Sequence, residues 1–372
     1  MQIVFDHQSF TRQGHGGVSR SFVELAGALH QLEGVSSEIF APLHWNEYLT
    51  NPHISSYKRG IFQSRGVFKV WHQRWKLNHY ITGLRCRFAP PDIFHETWYD
   101  ERFVRLPKSA RRATTVHDLM YQRNPEWTAD ADERSQQLTA SLDRADVIFC
   151  VSQHTKNDLL NWLPRLESKP VHVVYHGVRE WMSENRRRKS AAVDHGRPFL
   201  LYVGQRSSIN KNFQALARAF ATSGLAKDIS LLCFGGGAFS DKEIQFFRQL
   251  GLNEEQIIQQ SGDDGALAAA YSGAVALACP SLYEGFGLPL LEAMAHGCLV
   301  TSSNASCLPE IGGEACCYFH PGDTEQIAVA LRKVCYDSTL REDLLHKGTE
   351  RARLFTWEKS ARAALAAYQS VL

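Results

Sequence analysis

Ser281-Leu-Tyr-Glu-Gly-Phe-Gly-Leu-Pro-Leu-Leu-Glu-Ala-Met-Ala-His-Gly297 decides the fold class of this chain. An apolar run of strand length, Val275-Ala-Leu-Ala278, precedes it. Gly285 and Gly287 permit a tight turn and close approach of the backbone to a ligand. Pro289 suits a first helical turn, and Gly297 the position just past the last. The spacing therefore predicts strand, loop and short helix. The first backbone N–H groups of that helix, near Leu288, form an anion site. Glu284 and Glu292 flank it, one in the loop and one a helical turn inside. A phosphate cradle between two carboxylates suits a nucleotide sugar. An ordinary strand–helix unit with solvated glutamates is the alternative from these residues alone.

The chain outward from this stretch has 372 residues, enough for two domains of ordinary size. Hydrophobic content of 44% and charged content of 22% are those of a globular protein. A net charge of +2 gives no overall drive toward nucleic acid, and no apolar run is long enough for a membrane span. The N-terminal Met-Gln-Ile-Val-Phe-Asp fits a short strand rather than a signal peptide. Nine cysteines without a C-x-x-C pair favour buried, reduced thiols in a cytosolic protein over disulfides or a zinc site.

Strands and helices alternate in both halves. Gln2–Phe5 is a first strand, followed by Gly14-His-Gly-Gly17 and a helix with Phe22, Leu25, Ala26, Leu29 and Leu32 on one face. The third glycine of G-x-G-x-x-G is missing, so a nicotinamide cofactor has little support. Asp92-Ile-Phe-His95 and Ala113-Thr-Thr-Val-His117 are strands that end in histidines, at the strand ends where open parallel sheets bind ligands. Asp118 is placed to orient His117 or to cap the next turn, and Asp130-Ala-Asp132 begins a helix. Ser152 is a helix cap after the strand Asp146–Val151. Residues 181–197 lack apolar periodicity and mark a linker. Phe199–Val203 restarts the pattern. The loop after it carries Arg206 and Lys211, suited to phosphate oxygens. The alternation predicts two doubly wound, Rossmann-like α/β domains over residues 1–180 and 198–355, facing a central cleft, and a final helix over 356–372.

Tyr48 to Pro91 contains no Asp or Glu. Its basic residues, among them Lys69 and Arg74, alternate with aromatics, and Phe68, Trp71 and Trp75 fall at helical spacing. Such a segment suits an anionic membrane surface or a phosphorylated lipid acceptor. Stacking of nucleic-acid bases and a solvated basic helix with its aromatics in the core are the rivals.

Val203-Gly-Gln-Arg206 with Lys211-Asn212, Pro280–Pro289 with Glu292-Ala-Met-Ala, and Leu308-Pro-Glu310 together resemble the retaining glycosyltransferases of family four, which have the GT-B fold. Asp6-His-Gln, Gly16-Gly-Val-Ser-Arg20, His117-Asp-Leu and Val151-Ser152 resemble its bacterial mannosyl- and rhamnosyltransferase branch, which builds O-antigens and other surface polysaccharides. The resemblance implies that Arg206 and Lys211 clamp the donor diphosphate. It implies that Gly285, Phe286, Gly287 and Leu288 bring backbone to the diphosphate or sugar, and that Glu284 holds sugar hydroxyls and Glu292 the ribose. Gly16 and Gly17 would close on the phosphates, and His117 would face the donor sugar. No cofactor and no metal are expected, because Arg and Lys neutralise the leaving diphosphate. The expected partners are a nucleotide sugar, GDP-mannose foremost with GDP-rhamnose, GDP-fucose and dTDP-rhamnose as options, and a glycan or lipid-diphosphate-linked acceptor. Contact with an anionic membrane through Lys69, Trp71, Arg74 and Trp75, with His95 on the acceptor side, completes the expectation. It is that of a cytoplasmic, peripheral enzyme with no nucleic-acid partner. A nucleotide-sugar epimerase and a non-catalytic glycan- or lipid-phosphate-binding protein are the competing functions.

Overall fold

The computed structural model describes residues 1–64, 71–100, 102–178 and 196–372, with the helical backbone alone at 71–73. Most of the 181–197 linker, together with Phe68 and Lys69, lies outside the described residues. The chain divides into two compact units, Met1–Gly177 with Trp357–Leu372, and Val178–Thr356.

The first unit holds β1 (Gln2–Phe5), β2 (Ser36–His44), β3 (Lys58–Phe62), β4 (Ile93–Glu96), β5 (Arg111–Val116), β6 (Val147–Cys150) and β7 (Val171–Val173). They form one parallel sheet in the order β3-β2-β1-β4-β5-β6-β7. β4 and β6 are buried along their whole length; β6 is accordingly a continuous apolar run, whereas β4 ends in His95 and Glu96, each with polar partners inside the fold. Its longer helices are α1 (Gly17–His30), α2 (Trp71–Phe88), α3 (Ala131–Arg144), α4 (Gln153–Trp162) and, from the end of the chain, α11 (Trp357–Gln369). α1 buries Phe22, Leu25, Ala26 and Leu29, the face its spacing predicts. α11 packs against α1 and sets Ala361, Ala364 and Tyr368, at offsets of three and four, into the same core. Ser152 caps α4 by accepting the Thr155 N–H at 3.0 Å. Asp130 stands at the N-cap of α3 with Asp132 in its first turn, so this acidic pair is a helix start.

The second unit holds β8 (Phe199–Val203), β9 (Ser230–Phe234), β10 (Ile257–Gln260), β11 (Ala276–Cys279), β12 (Leu299–Ser303) and β13 (Cys316–Phe319). Its parallel sheet runs β10-β9-β8-β11-β12-β13. Its longer helices are α5 (Phe213–Thr222), α6 (Asp241–Gln249), α7 (Asp264–Gly273), α8 (Leu288–Ala295), α9 (Thr324–Tyr336) and α10 (Ser338–Arg353). Leu200, Tyr202 and Leu231 of the sheet pack with Phe213, Leu216 and Phe220 of α5 and Leu331 of α9. Each such fully buried side chain stabilises by about 1.5–3 kcal/mol. All nine cysteines are free thiols, seven of them buried.

The segment between α1 and β4 differs from its expected form. It contributes two further strands, β2 and β3, before α2 begins. In α2, Trp75 turns inward and is buried.

Candidate functional site

In the second sheet β8 pairs with β9 on one side and with β11 on the other. Chain direction across the sheet reverses between β8 and β11, which leaves a crevice outside their carboxyl ends. Two loops meet there: Gly204–Asn212 after β8, and Pro280–Gly287 after β11.

Polar side chains fasten the two loops together. The Asn210 side-chain amide donates to Tyr283 O at 3.0 Å, and the Asn210 backbone carbonyl accepts the Leu282 N–H at 2.7 Å. Asn212, in the left-handed region at φ +51°, donates to Pro280 O at 3.1 Å and to Pro321 O at 2.9 Å. Lys211, held between them, reaches Glu284 Oε1 at 2.6 Å. Ser281 Oγ donates to the same oxygen at 2.7 Å, and the Glu284 N–H donates to Ser306 Oγ at 3.0 Å. The structure brings the expected Lys211 and Glu284 together; sequence reasoning gave no role to Ser281, three positions from Glu284, or to Asn210, Asn212 and Ser306, whose bonds join segments far apart in the chain.

Helix α8 begins at this pair. Gly287 is its N-cap at φ +89°, and a Cβ there would lie 2.8 Å from Leu308 Cδ2, so both backbone and space require glycine. Leu288 opens the helix and Pro289 occupies its first turn, so the amide dipoles point toward the Lys211–Glu284 pair's loop. Phe286 has its ring buried edge-on to Phe355, with centroids 6.0 Å apart, so only its backbone is placed to meet a ligand. Gly285 is buried beside it. Glu292 is buried one turn into α8, where Tyr271 OH of α7 donates to its Oε2 at 2.9 Å. The Tyr271 ring in turn stacks on His296, 5.8 Å apart and 10° from parallel.

Arg206, expected to clamp the diphosphate, is engaged within the second unit. Its side chain is 2% exposed and its donors are already engaged. Nε bonds Glu243 Oε1 at 2.7 Å, Nη1 bonds Gly235 O at 2.8 Å, and Nη2 bonds Gly237 O at 2.9 Å and Ala238 O at 3.2 Å. The guanidinium also lies 4.7 Å from the centre of the Phe239 ring. Gly235, Gly236 and Gly237 have φ of 87°, 72° and 71°, a run that turns their carbonyls onto one cation. Arg206 therefore braces the turn after β9. Burial pushes Glu243 upward, but hydrogen bonds from Arg206 and Ser240 outweigh it and hold the carboxylate below its usual range.

In the first unit, His117 follows β5 and is half-buried, ring-stacked on His176 with centroids 6.0 Å apart and edge-on to Phe22. Its backbone N–H donates to Tyr99 OH at 3.2 Å, and its Nε2 has no hydrogen-bond partner among the described residues. Burial lowers its pKa to about 4, so the imidazole is neutral at pH 7. Asp118 caps the following turn by accepting the Met120 N–H at 3.0 Å. Gly16 is the N-cap of α1, where a Cβ would fall 2.4 Å from Gln13 Oε1, while Gly17 opens onto space. His95 is corrected from an acceptor contact to a core residue. It is fully buried between Tyr368 OH at 2.6 Å and Thr115 Oγ1 at 2.8 Å. Trp75 is likewise a core residue, and the guanidinium of Arg12 lies 5.1 Å from its ring centre. Arg74 is half-buried on α2, whereas Lys69 and the Trp71 side chain are outside the described residues.

Two family models match this chain: "Glycosyltransferase Family 4" over residues 15–180 and "Glycosyl transferases group 1" over residues 183–351. The chain belongs to glycosyltransferase family four. The enzyme is 26% identical to O-antigen chain mannosyltransferase B of Escherichia coli over 71% of this chain and 72% of that one. It is 26% identical to the serotype-specific mannosyltransferase WbdA of Escherichia coli over 81% of this chain, which spans 39% of that longer protein. Among solved structures it resembles sucrose-phosphate synthase of Thermosynechococcus elongatus, with a TM-score of 0.78 at 20% identity over 100% and 98% of the two chains. It also resembles Anabaena HepE in complex with UDP-glucose, with a TM-score of 0.74 at 15% identity over 100% of each. The fold of this glycosyltransferase is GT-B, with two Rossmann-like units of seven and six parallel strands.

Proposed function

We propose that this glycosyltransferase moves mannose, or a deoxyhexose such as rhamnose, from a GDP-linked donor to a glycan or lipid-linked acceptor of a bacterial surface polysaccharide, with retention at the anomeric carbon. The observation that carries the donor site is the Lys211–Glu284 pair at the head of α8, on the switch point of the second sheet. Breaking the glycosidic bond leaves negative charge on the departing diphosphate. Lys211 and the first amides of α8 face that charge as it grows, and one well-aimed donor of this kind is worth about 3 kcal/mol. We assign the countercharge to these groups rather than to a metal ion. Donor binding would draw Lys211 toward phosphate and leave Glu284, still held by Ser281, to accept from sugar hydroxyls. Glu292, positioned by Tyr271, is assigned to the ribose. In the first unit, the neutral Nε2 of His117 is assigned to a sugar hydroxyl. With no protein nucleophile assigned, the departing phosphate oxygen takes the acceptor hydroxyl's proton on the face the nucleotide leaves.

The mannosyltransferase relatives support the sugar and the polysaccharide context. Nine free thiols fit a reducing compartment, hence the cytoplasmic side. Among the described residues no helix is long and apolar enough to cross a membrane, so a lipid-linked acceptor would be met by peripheral contact. Thermal shift with GDP, UDP, dTDP and ADP tests the donor. At 100 times its dissociation constant a ligand stabilises by about 2.7 kcal/mol, a rise of roughly 5–10 °C for a unit of this size. GDP should give the largest rise, and no rise with any of the four would overturn the donor site.

A further inference from the structure

Helix α2 has its polarity reversed. On its inner side Asn78 and Thr82 are fully buried beside Trp75 and Cys86. Asn78 exchanges two hydrogen bonds of 2.8 Å with the backbone of Leu43 in β2, which explains a polar residue facing the sheet. On its outer side stand Leu77, Tyr80, Leu84 and Phe88, exposed by 45%, 67%, 36% and 80%. Their offsets of three, four and four place them within an arc of about 80° at 100° per residue. On the same wheel Lys76 and Arg87, both exposed, border one side of the stripe. Arg74 and Arg85, both half-buried, border the other. On β3, the edge strand beside β2, Ile61 and Phe62 are exposed next to Lys58 and Arg59. Arg85 pairs with Glu38 Oε2 of β2 at 3.3 Å, and no carboxylate occurs from Tyr48 to Pro91 itself.

A stripe of apolar side chains bordered by cations needs a partner that is apolar at depth and anionic at its surface. A second copy of this chain does not meet that need, because a symmetric contact through this face would set Lys76 and Arg87 against an equally basic surface. We propose that α2 docks on an anionic lipid surface, with Leu77, Leu84 and Phe88 at the acyl boundary, Tyr80 at headgroup level, and Lys76 and Arg87 on the lipid phosphates. This deepens the lipid-linked acceptor reading, while its geometry rests on the first unit alone. The apolar anchors are these four, in place of the inward-facing Trp75.

The test is sedimentation of the full-length protein with vesicles of equal parts phosphatidylglycerol and phosphatidylcholine, and with phosphatidylcholine alone. Binding is expected to the anionic vesicles and to weaken as salt rises. Leu77→Ser/Leu84→Ser/Phe88→Ser should abolish it, and Lys76→Ala/Arg87→Ala should weaken it about 30-fold. Both variants should keep the thermal midpoint of the wild type, since the altered side chains face outward. Failure of the wild type to bind, or variants that bind as tightly as it does, overturns the proposal. So does self-association that the triple variant removes without any vesicle binding. Vesicle binding without a GDP thermal shift would instead count against the donor reading alone.

Discussion

Replacing Arg206 by alanine separates bracing from clamping. The guanidinium bonds Glu243 and the four carbonyls of the Gly235–Ala238 turn and stacks on Phe239. Removing one partner of a buried ion pair typically costs about 3–5 kcal/mol. Glu243 is 26% exposed, so the lower end, about 3 kcal/mol, applies here. A unit of 150–250 residues loses about 2–4 °C per kcal/mol, so its unfolding midpoint should fall by roughly 6–12 °C. Arg206→Lys should recover part of that loss, because an ammonium can pair with Glu243 but cannot fork onto the carbonyls. Scanning calorimetry of both variants without donor reads the effect. A midpoint within about 2 °C of wild type, together with a roughly hundredfold loss of turnover, would refute the brace and return Arg206 to the diphosphate.

Tyr271→Phe keeps the ring on His296 but removes the donor to buried Glu292; the second unit's midpoint should fall by about 2–8 °C for a loss of 1–2 kcal/mol, and an unchanged midpoint would contradict the contact. Acid should destabilise the first unit from pH 6.5 downward. Burial lowers His7, His95 and His176 to about 3 and His44 and His117 to about 4, so the unfolded chain takes up protons that the folded one refuses. Each contributes stability that is present above pH 6.5 and is lost toward its folded pKa, by up to about 1.4 kcal/mol per pH unit. Asp6, raised to about 6 by burial, opposes this between pH 6 and 3.8 but is one group against five. Tryptophan fluorescence reports it, since seven of the eight tryptophans lie in the first unit; a midpoint equal at pH 7 and pH 5 would sink the reasoning.

The features legible in the sequence are those written in local periodicity and turn chemistry. The α1 face, the Ser152 cap, and the strand, glycine loop and helix of α8 each follow from residues a few positions apart. Lys211 and Glu284 were legible through their motifs, although 73 positions separate them. Arg206 was not, because its fate depends on carbonyls from the turn after β9. His95 sits at a strand end as its sequence suggests, yet Tyr368 from the last helix covers it. Trp75, expected on the outer face of α2, turns inward instead, since nothing local announces that Asn78 completes the backbone bonding of β2 and fixes that side of the helix against the sheet.

Single-turnover sugar transfer by Lys211→Met, from saturating GDP-mannose, tests the donor site most directly. Loss of one cation aimed at the departing diphosphate should slow transfer about a hundredfold at a temperature where the variant is still folded, its unfolding midpoint falling by up to roughly 6–12 °C because Glu284 loses its ion-pair partner. Transfer at the wild-type rate would contradict the assignment of Lys211, and with it the site at the head of α8.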